Sequence, residues 1–414
     1  MSTLEAENTI NTRIKVVFEQ IKHLLHDQEN QADFIANGNL FNGYAGIVYY
    51  YFSLLKAFPE GETDAYIALE KLIESYNSQE NMASKYMTFC SGLSGFYFLI
   101  QKLVEQEYLD ELFVEEVLPI NELIFEDTQR LLKEENTDFL HGASGQMLYL
   151  LSCKGDPSRE KYLDILVDEL LKFAIIDEKG LRFPNSTVKE FQNTDNTNLS
   201  LSHGNAGILL VLLNIFNGGI AKEKLEKVIK QGLDYFIHYY HPRAGTNFSA
   251  FPLLVNEDLS KQELLDGEFY AENYSWCYGD LAVTWLLYQS SAAFEEARYR
   301  DLADEVGKAM AQSLITVPQS GIKINSHFCH GTSGIALFLN RLYHFSGLSV
   351  YNEAAQVWLE STLDHLENDL NKPEFMNRAS AFGLLEGISG AMFVLAAAEH
   401  EDIAANWTDM FLLS

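Results

Sequence analysis

Positive charge is scarce in this chain. Lysine and arginine number 29 against 59 aspartates and glutamates, a net charge of −30 over 414 residues. A surface this acidic repels phosphate backbones and anionic lipid, which argues against nucleic acid and membrane surfaces as main partners. Cysteine is scarce too. Cys90, Cys153, Cys277 and Cys329 make no disulfide framework in a chain of this size and read as reduced thiols of a cytoplasmic protein. Long apolar runs are lacking: stretches such as Ile208 to Phe216 are too short to span a bilayer, so no integral membrane protein is expected. The start, Met1 to Asn30, is polar and charged and carries no secretory signal. Of the eight prolines, Pro184, Pro242 and Pro252 fall in two long connections, 179–200 and 241–275, which read as rim insertions suited to gripping a ligand. A short strand is expected at Ala250 to Val255.

What is present is glycine in register. A Gly-x-x-Gly step opens at Gly43, Gly92, Gly142, Gly204, Gly331 and Gly387, and a further copy at Gly279 ends in Ala282. The first glycines stand 49 to 75 residues apart, a period that means stacked units sharing one core. After each step comes an apolar stretch of helical length, such as Ile47 to Leu55 or Ile335 to Tyr343; a helix apolar all round is a buried one. Between them lie amphipathic stretches, among them Ala65 to Ser75, Tyr162 to Ala174, Leu225 to Tyr239, Tyr299 to Ile315 and Tyr351 to Glu367, which read as outer helices. An open solenoid needs polar caps at both ends, and the last apolar stretch, Ala391 to Ala398, is no more polar than the rest. The pattern predicts an all-α fold, an α/α toroid of seven inner and seven outer helices, as a single domain over 1–414. The glycines themselves are accounted for by close packing.

The residue before each first glycine is polar: Asn42, Ser91, His141, His203, Tyr278, His330 and Glu386. In a closed array these line one end. One step earlier three cysteines share a register, Cys90, Cys277 and Cys329, the last two from consecutive repeats and Cys329 next to His330. Two thiols and an imidazole suit Zn²⁺ and leave its fourth position open, as at catalytic zinc. Against this, cysteine is a common buried residue and histidine before glycine is also an ordinary helix-start residue. Cys90 lies nearly across the ring and reads as structural; Cys153 reads as core. His203, one repeat from the cysteines, is placed to move protons, and Asp138, ahead of His141, to orient a histidine or meet a substrate.

These segments resemble the lanthionine cyclase family, the lanthionine synthetase C-like proteins. The matching stretches are Asp138 to Gly145, Ser202 to Gly207, Trp276-Cys-Tyr-Gly-Asp280, Cys329 to Gly334 and Gly383 to Gly390. The Trp-Cys-Tyr-Gly and Cys-His-Gly pair is the specific part. The resemblance implies one zinc on Cys277, Cys329 and His330, with His203 and Asp138 as the catalytic residues. It implies addition of substrate cysteine thiols to dehydroalanine or dehydrobutyrine in a ribosomal peptide, giving thioether rings. Partners would be the dehydrated precursor peptide, a separate dehydratase and an export transporter, with the protein cytoplasmic or peripheral in a membrane-associated biosynthetic complex. No dehydratase-sized region precedes the first repeat, which points to a free-standing cyclase. One place departs: many members carry an Arg four residues before the first zinc Cys, and here it is Asn273, with Arg243 the nearest replacement by sequence. Two other readings share the ligands, an enzyme that adds glutathione to dehydro residues and a zinc-containing adaptor that binds peptide or glutathione without turnover. A toroid glycosidase would have only Glu386 and Asp138 for its carboxylate pair and would leave the thiols unexplained.

Overall fold

The computed structural model describes residues 3–78, 86–185, 196–242, 249–270, 274–316 and 325–414. Two compact units emerge, Met1–Tyr86 with Ala311–Ser414, and Met87–Met310. Both are built from the same pair of helices, one apolar throughout and one apolar along a stripe.

In the first unit the mainly apolar helices are Tyr44–Ser53, Thr332–Ser346 and Ile388–Glu399. Every residue of Tyr44–Ser53 is buried, as expected for a helix without a polar face. Thr3–Gln28, Glu62–Asn77 and Ser349–Leu370 flank them. Glu62–Asn77 buries Ala65, Ala68, Leu69 and Leu72, a spacing of three and four that makes one stripe, while Glu62 and Asp64 sit at its positive N-terminal end. The first and last repeats are hydrogen bonded to each other: the Phe41 carbonyl accepts from the N–H groups of Leu384 (2.8 Å) and Leu385 (3.0 Å). An array open at its ends has no such bond, so the expected closure acquires its contact.

In the second unit the buried helices are Leu93–Glu105, Ala143–Ser152, Asn205–Asn217 and Asp280–Phe294. Around them run Leu112–Lys133, Arg159–Leu170, Lys222–Tyr239 and the part of Ala297–Thr316 up to Met310. Arg159–Leu170 buries Leu163, Leu166, Val167 and Leu170, again one stripe. Two small antiparallel pairs sit in the connections. Ile175–Asp177 pairs with Gly180–Arg182, and Asn196–Asn198 with Leu254–Asn256. The strand expected at Ala250 to Val255 is thus shorter and later. Ala250 and Phe251 instead donate their N–H groups to the buried Asp280 carboxylate, at 2.8 to 3.1 Å, which ties this connection to the start of the helix Asp280–Phe294.

The Gly-x-x-Gly step is where each buried helix turns back onto the strand of chain that led into it. The first glycine is the N-cap in all seven copies. A Cβ on the second glycine, Gly207, would lie 1.9 Å from the Leu201 carbonyl oxygen, six residues earlier, so a side chain there has no room. The copy that ends in Ala282 differs in its backbone: its cap, Gly279, has φ +98°, the left-handed side that favours glycine, while Gly204 has φ −142°. Ala282 is therefore accompanied by a different turn, not squeezed into the same one.

Gly207→Ala is expected to lower unfolding free energy by about 2 kcal/mol or more, since backbone has to shift. Gly61→Ala, whose Cβ would meet only the end of Leu55 at 3.8 Å, is expected to be near neutral. Urea unfolding of the two variants checks the contrast; equal stabilities would remove the steric account of the glycine step.

Candidate metal and proton-transfer site

In five of the seven copies the polar residue ahead of the first glycine is held by a side chain three positions earlier, while the Glu386 N–H donates to Asn42 Oδ1 at 3.1 Å. Side chains accept the N–H of Ser91 (Thr88 Oγ1, 3.3 Å), His141 (Asp138 Oδ1, 2.6 Å), His203 (Ser200 Oγ, 3.1 Å), Tyr278 (Ser275 Oγ, 3.1 Å) and His330 (His327 Nδ1, 3.2 Å). An asparagine six places before the glycine braces the same turn. Asn136, Asn198 and Asn325 accept the N–H two residues on, and Asn37 and Asn136 donate to the carbonyl of Asn42 and His141. Sequence reading passed over these asparagines, although their constant distance from glycine was the signal. Asn273 has that same register, six before Gly279. Asn273 and Arg243 both lie outside the described residues.

Asp138 does more than hold its turn. Its side chain is fully buried, and Oδ2 meets His203 Nδ1 at 2.6 Å while Oδ1 holds the His141 N–H. A carboxylate oxygen accepts, so Nδ1 is the donor and Nε2 is the basic nitrogen of the neutral His203 ring. The His203 side chain is 26% exposed. His141 belongs to the same group: its ring lies 6.2 Å from that of His203, centroid to centroid, at 17° between planes. Desolvation pushes the His141 pKa below its ordinary value, and the His203 charge adds to this while Asp138 opposes it. The Tyr278 hydroxyl approaches Asn198 Nδ2 at 3.4 Å, and burial raises its pKa.

The metal-ligand candidates occupy equivalent turns. Cys277 is 1% exposed, and its carbonyl accepts from the Leu201 N–H at 2.8 Å, next to the turn that carries His203. Cys329 donates its N–H to Leu385 O at 2.8 Å. Its Sγ stands 3.9 Å from His330 Nε2. Two ligands of one tetrahedral zinc, at Zn–S 2.3 Å and Zn–N near 2.0 Å, sit about 3.6 Å apart. The pair therefore fits a shared ion with a small adjustment. Cys277, in the other compact unit, is the third candidate ligand. Behind His330, burial pushes the His327 pKa down to about 4, with His330 and Arg378 contributing, so this ring is neutral and can accept the His330 N–H. None of the four cysteines is in a disulfide. Cys90 packs its turn, giving its N–H to Leu140 O at 2.9 Å, and burial pushes the Cys153 thiol up to about 12, as expected of an inert core thiol.

The solved structure of a nisin cyclase superposes on this chain with a TM-score of 0.73 over 98% of both chains at 17% identity, which makes the fold an α/α toroid. The family model for lanthionine synthetase C-like proteins matches residues 35–412, and the chain belongs to that family. It is also 24% identical to the nisin biosynthesis protein NisC of Lactococcus lactis subsp. lactis over 292 residues, which are 67% of this chain and 64% of the relative's length. Among the described residues no helix is long and apolar enough to cross a membrane.

Asp138→Ala is expected to cost about 2 kcal/mol, because it removes a buried carboxylate with two hydrogen bonds. Denaturant unfolding measures this, and an unchanged midpoint would mean that the carboxylate does not brace the two turns.

Proposed function

We propose that this protein is a zinc-dependent lanthionine cyclase, closing thioether rings in a dehydrated, ribosomally made precursor peptide. The observation that carries the reading is the buried Asp138 carboxylate fixing His203, on a turn hydrogen bonded to that of Cys277. Membership of the family supports it. Ring closure breaks a thiol S–H bond, makes a bond from sulfur to the β-carbon of dehydroalanine or dehydrobutyrine, and adds a proton at the α-carbon. The chain has to hold the thiol, receive one proton and deliver another.

Cys277, Cys329 and His330 are the residues that would hold Zn²⁺, a donor set of two thiolates and one imidazole that leaves one position for a substrate thiol. Bound there, the ion lowers the pKa of that thiol so that thiolate is present at neutral pH. His203 carries a proton at Nε2. Asp138 positions it, keeping Nδ1 protonated and the ring in one orientation. The whole chain, 1–414, serves as one cyclase domain in the cytoplasm, with the connections near 179–200 and 241–275 gripping the peptide. A separate dehydratase supplies the dehydro residues and an export transporter takes the product.

Purified protein incubated with a dehydrated peptide is expected to consume its thiols, read by mass spectrometry after thiol blocking. Glutathione adducts in place of rings would favour the glutathione-adding reading, and zinc binding with neither product would leave an adaptor. Cys277→Ala should abolish metal content and turnover with helix content kept; full zinc stoichiometry in that variant would refute the ligand set. His203→Asn should keep zinc and lose roughly 10²–10⁴-fold in rate, the range for a positioned proton carrier. Loss of zinc in that variant would make His203 a ligand or a structural residue instead.

A further inference from the structure

Ring closure moves two protons at two atoms, and His203 is one imidazole. A second stands beside it. His141 occupies, in its own repeat, the place His203 occupies in the next, immediately before the N-cap glycine of a buried helix. The two rings are nearly parallel, 6.2 Å apart at 17°. One carboxylate serves both: Asp138 holds the His203 ring at 2.6 Å and the His141 backbone N–H at 2.6 Å. His141 is an exposed residue, whereas the Asp138 side chain is fully buried. Its own turn is complete without its ring, since the backbone of His141 makes the bracing bonds to Asn136 and Asp138. An imidazole that the fold does not need, aligned with a catalytic one, calls for a chemical explanation.

We propose that His141 is the second proton carrier of the cyclase, delivering the proton to the substrate α-carbon while His203 receives the one released from the thiol. This rests on the cyclase reading above. The repeat order supports the assignment. His203 lies on the turn bonded to that of Cys277, through Leu201 N–H and Cys277 O at 2.8 Å. The thiol belongs on that side. The α-carbon is two bonds further from the ligand-bearing turn than sulfur is, and His141 is one repeat further than His203. The electrons balance: the S–H pair becomes the lone pair that makes the new C–S bond, the π pair of the dehydro residue passes toward the α-carbon, and His141 places a proton there. His141 enters as the imidazolium, the form that the Asp138 charge favours and that desolvation makes the stronger acid, and leaves neutral, while His203 enters neutral and leaves as imidazolium; both reset through water, so no oxidant, reductant or further reactant is required. A proton delivered by a fixed ring reaches one face of the α-carbon and sets its configuration.

The test uses the full chain, zinc-loaded, with a dehydrated peptide, and reads both rate and the configuration of the lanthionine α-carbon after hydrolysis and chiral separation. His141→Asn and His141→Gln are compared with wild type at equal zinc content. Both are expected to fall about 10²-fold in rate and to yield both α-carbon configurations in place of one, because water then supplies the proton. A wild-type rate with a single configuration in either folded variant overturns the inference, as does a slow variant that keeps the single configuration, which would make His141 structural. Wild-type protein that forms no lanthionine above the enzyme-free rate sinks the cyclase reading and this inference with it. Wild-type turnover with unaffected His141 variants sinks this inference alone.

Discussion

The constraint on which the rest depends is a close approach of backbone to backbone. At Gly46, Gly145, Gly207 and Gly390 the chain has come round so tightly that the second glycine of the step faces a carbonyl six residues earlier, with 1.9 Å left for a Cβ at Gly207. That contact fixes where the preceding turn goes. It sets the direction of a helix axis and, at the same time, the place of the residue just before the first glycine. Burial of the following helix holds the approach in place, because nearly every side chain of Asn205–Asn217 is removed from water. The chemistry is therefore positioned by packing that is itself chemically inert.

Given one backbone turn, function comes from the side chains set into it. Three residues ahead of the polar position the chain needs only an acceptor for an N–H. Thr88, Ser200 and Ser275 supply a hydroxyl, and Asp138 supplies a carboxylate in the same role. A hydroxyl has one oxygen for this task, whereas the carboxylate has a second oxygen to place elsewhere. That oxygen is the one on His203. His327 fills the position differently again, accepting with Nδ1, which requires a neutral ring, and the surrounding burial keeps it neutral.

Much of this was legible in the order of residues, and the reason is periodicity. A helix apolar throughout has one environment available to it, and the stripe at Ala65, Ala68, Leu69 and Leu72 has one face to bury. The register of Cys277 and Cys329 and the neighbourhood of His330 could likewise be read by aligning glycines. The pairing of Asp138 with His203 could not, because it joins positions 65 residues apart through the packing of two repeats. The helices Thr3–Gln28 and Leu112–Lys133 were less apparent, as each mixes charged and apolar residues and the second has Pro119 inside it. The strand near 250 was misjudged for a different reason. A buried carboxylate, Asp280, captures the N–H groups of Ala250 and Phe251 that a strand partner would have used. The asparagine at 273 reads as a departure from the family when set against an arginine. It reads as ordinary when set against Asn37, Asn136, Asn198 and Asn325, which hold the same distance from their glycines.

The order of exposure along the Asp138 group has a consequence for turnover. The carboxylate is sealed from solvent, the His203 side chain is partly open, and His141 is an exposed residue. Charge at the inner end is thus shielded from exchange while the outer end equilibrates with bulk water. If the site works as proposed, it can be recharged between cycles without the protein opening, so the supply of hydrogen ions is uncoupled from the departure of a bulky, partly cyclised chain.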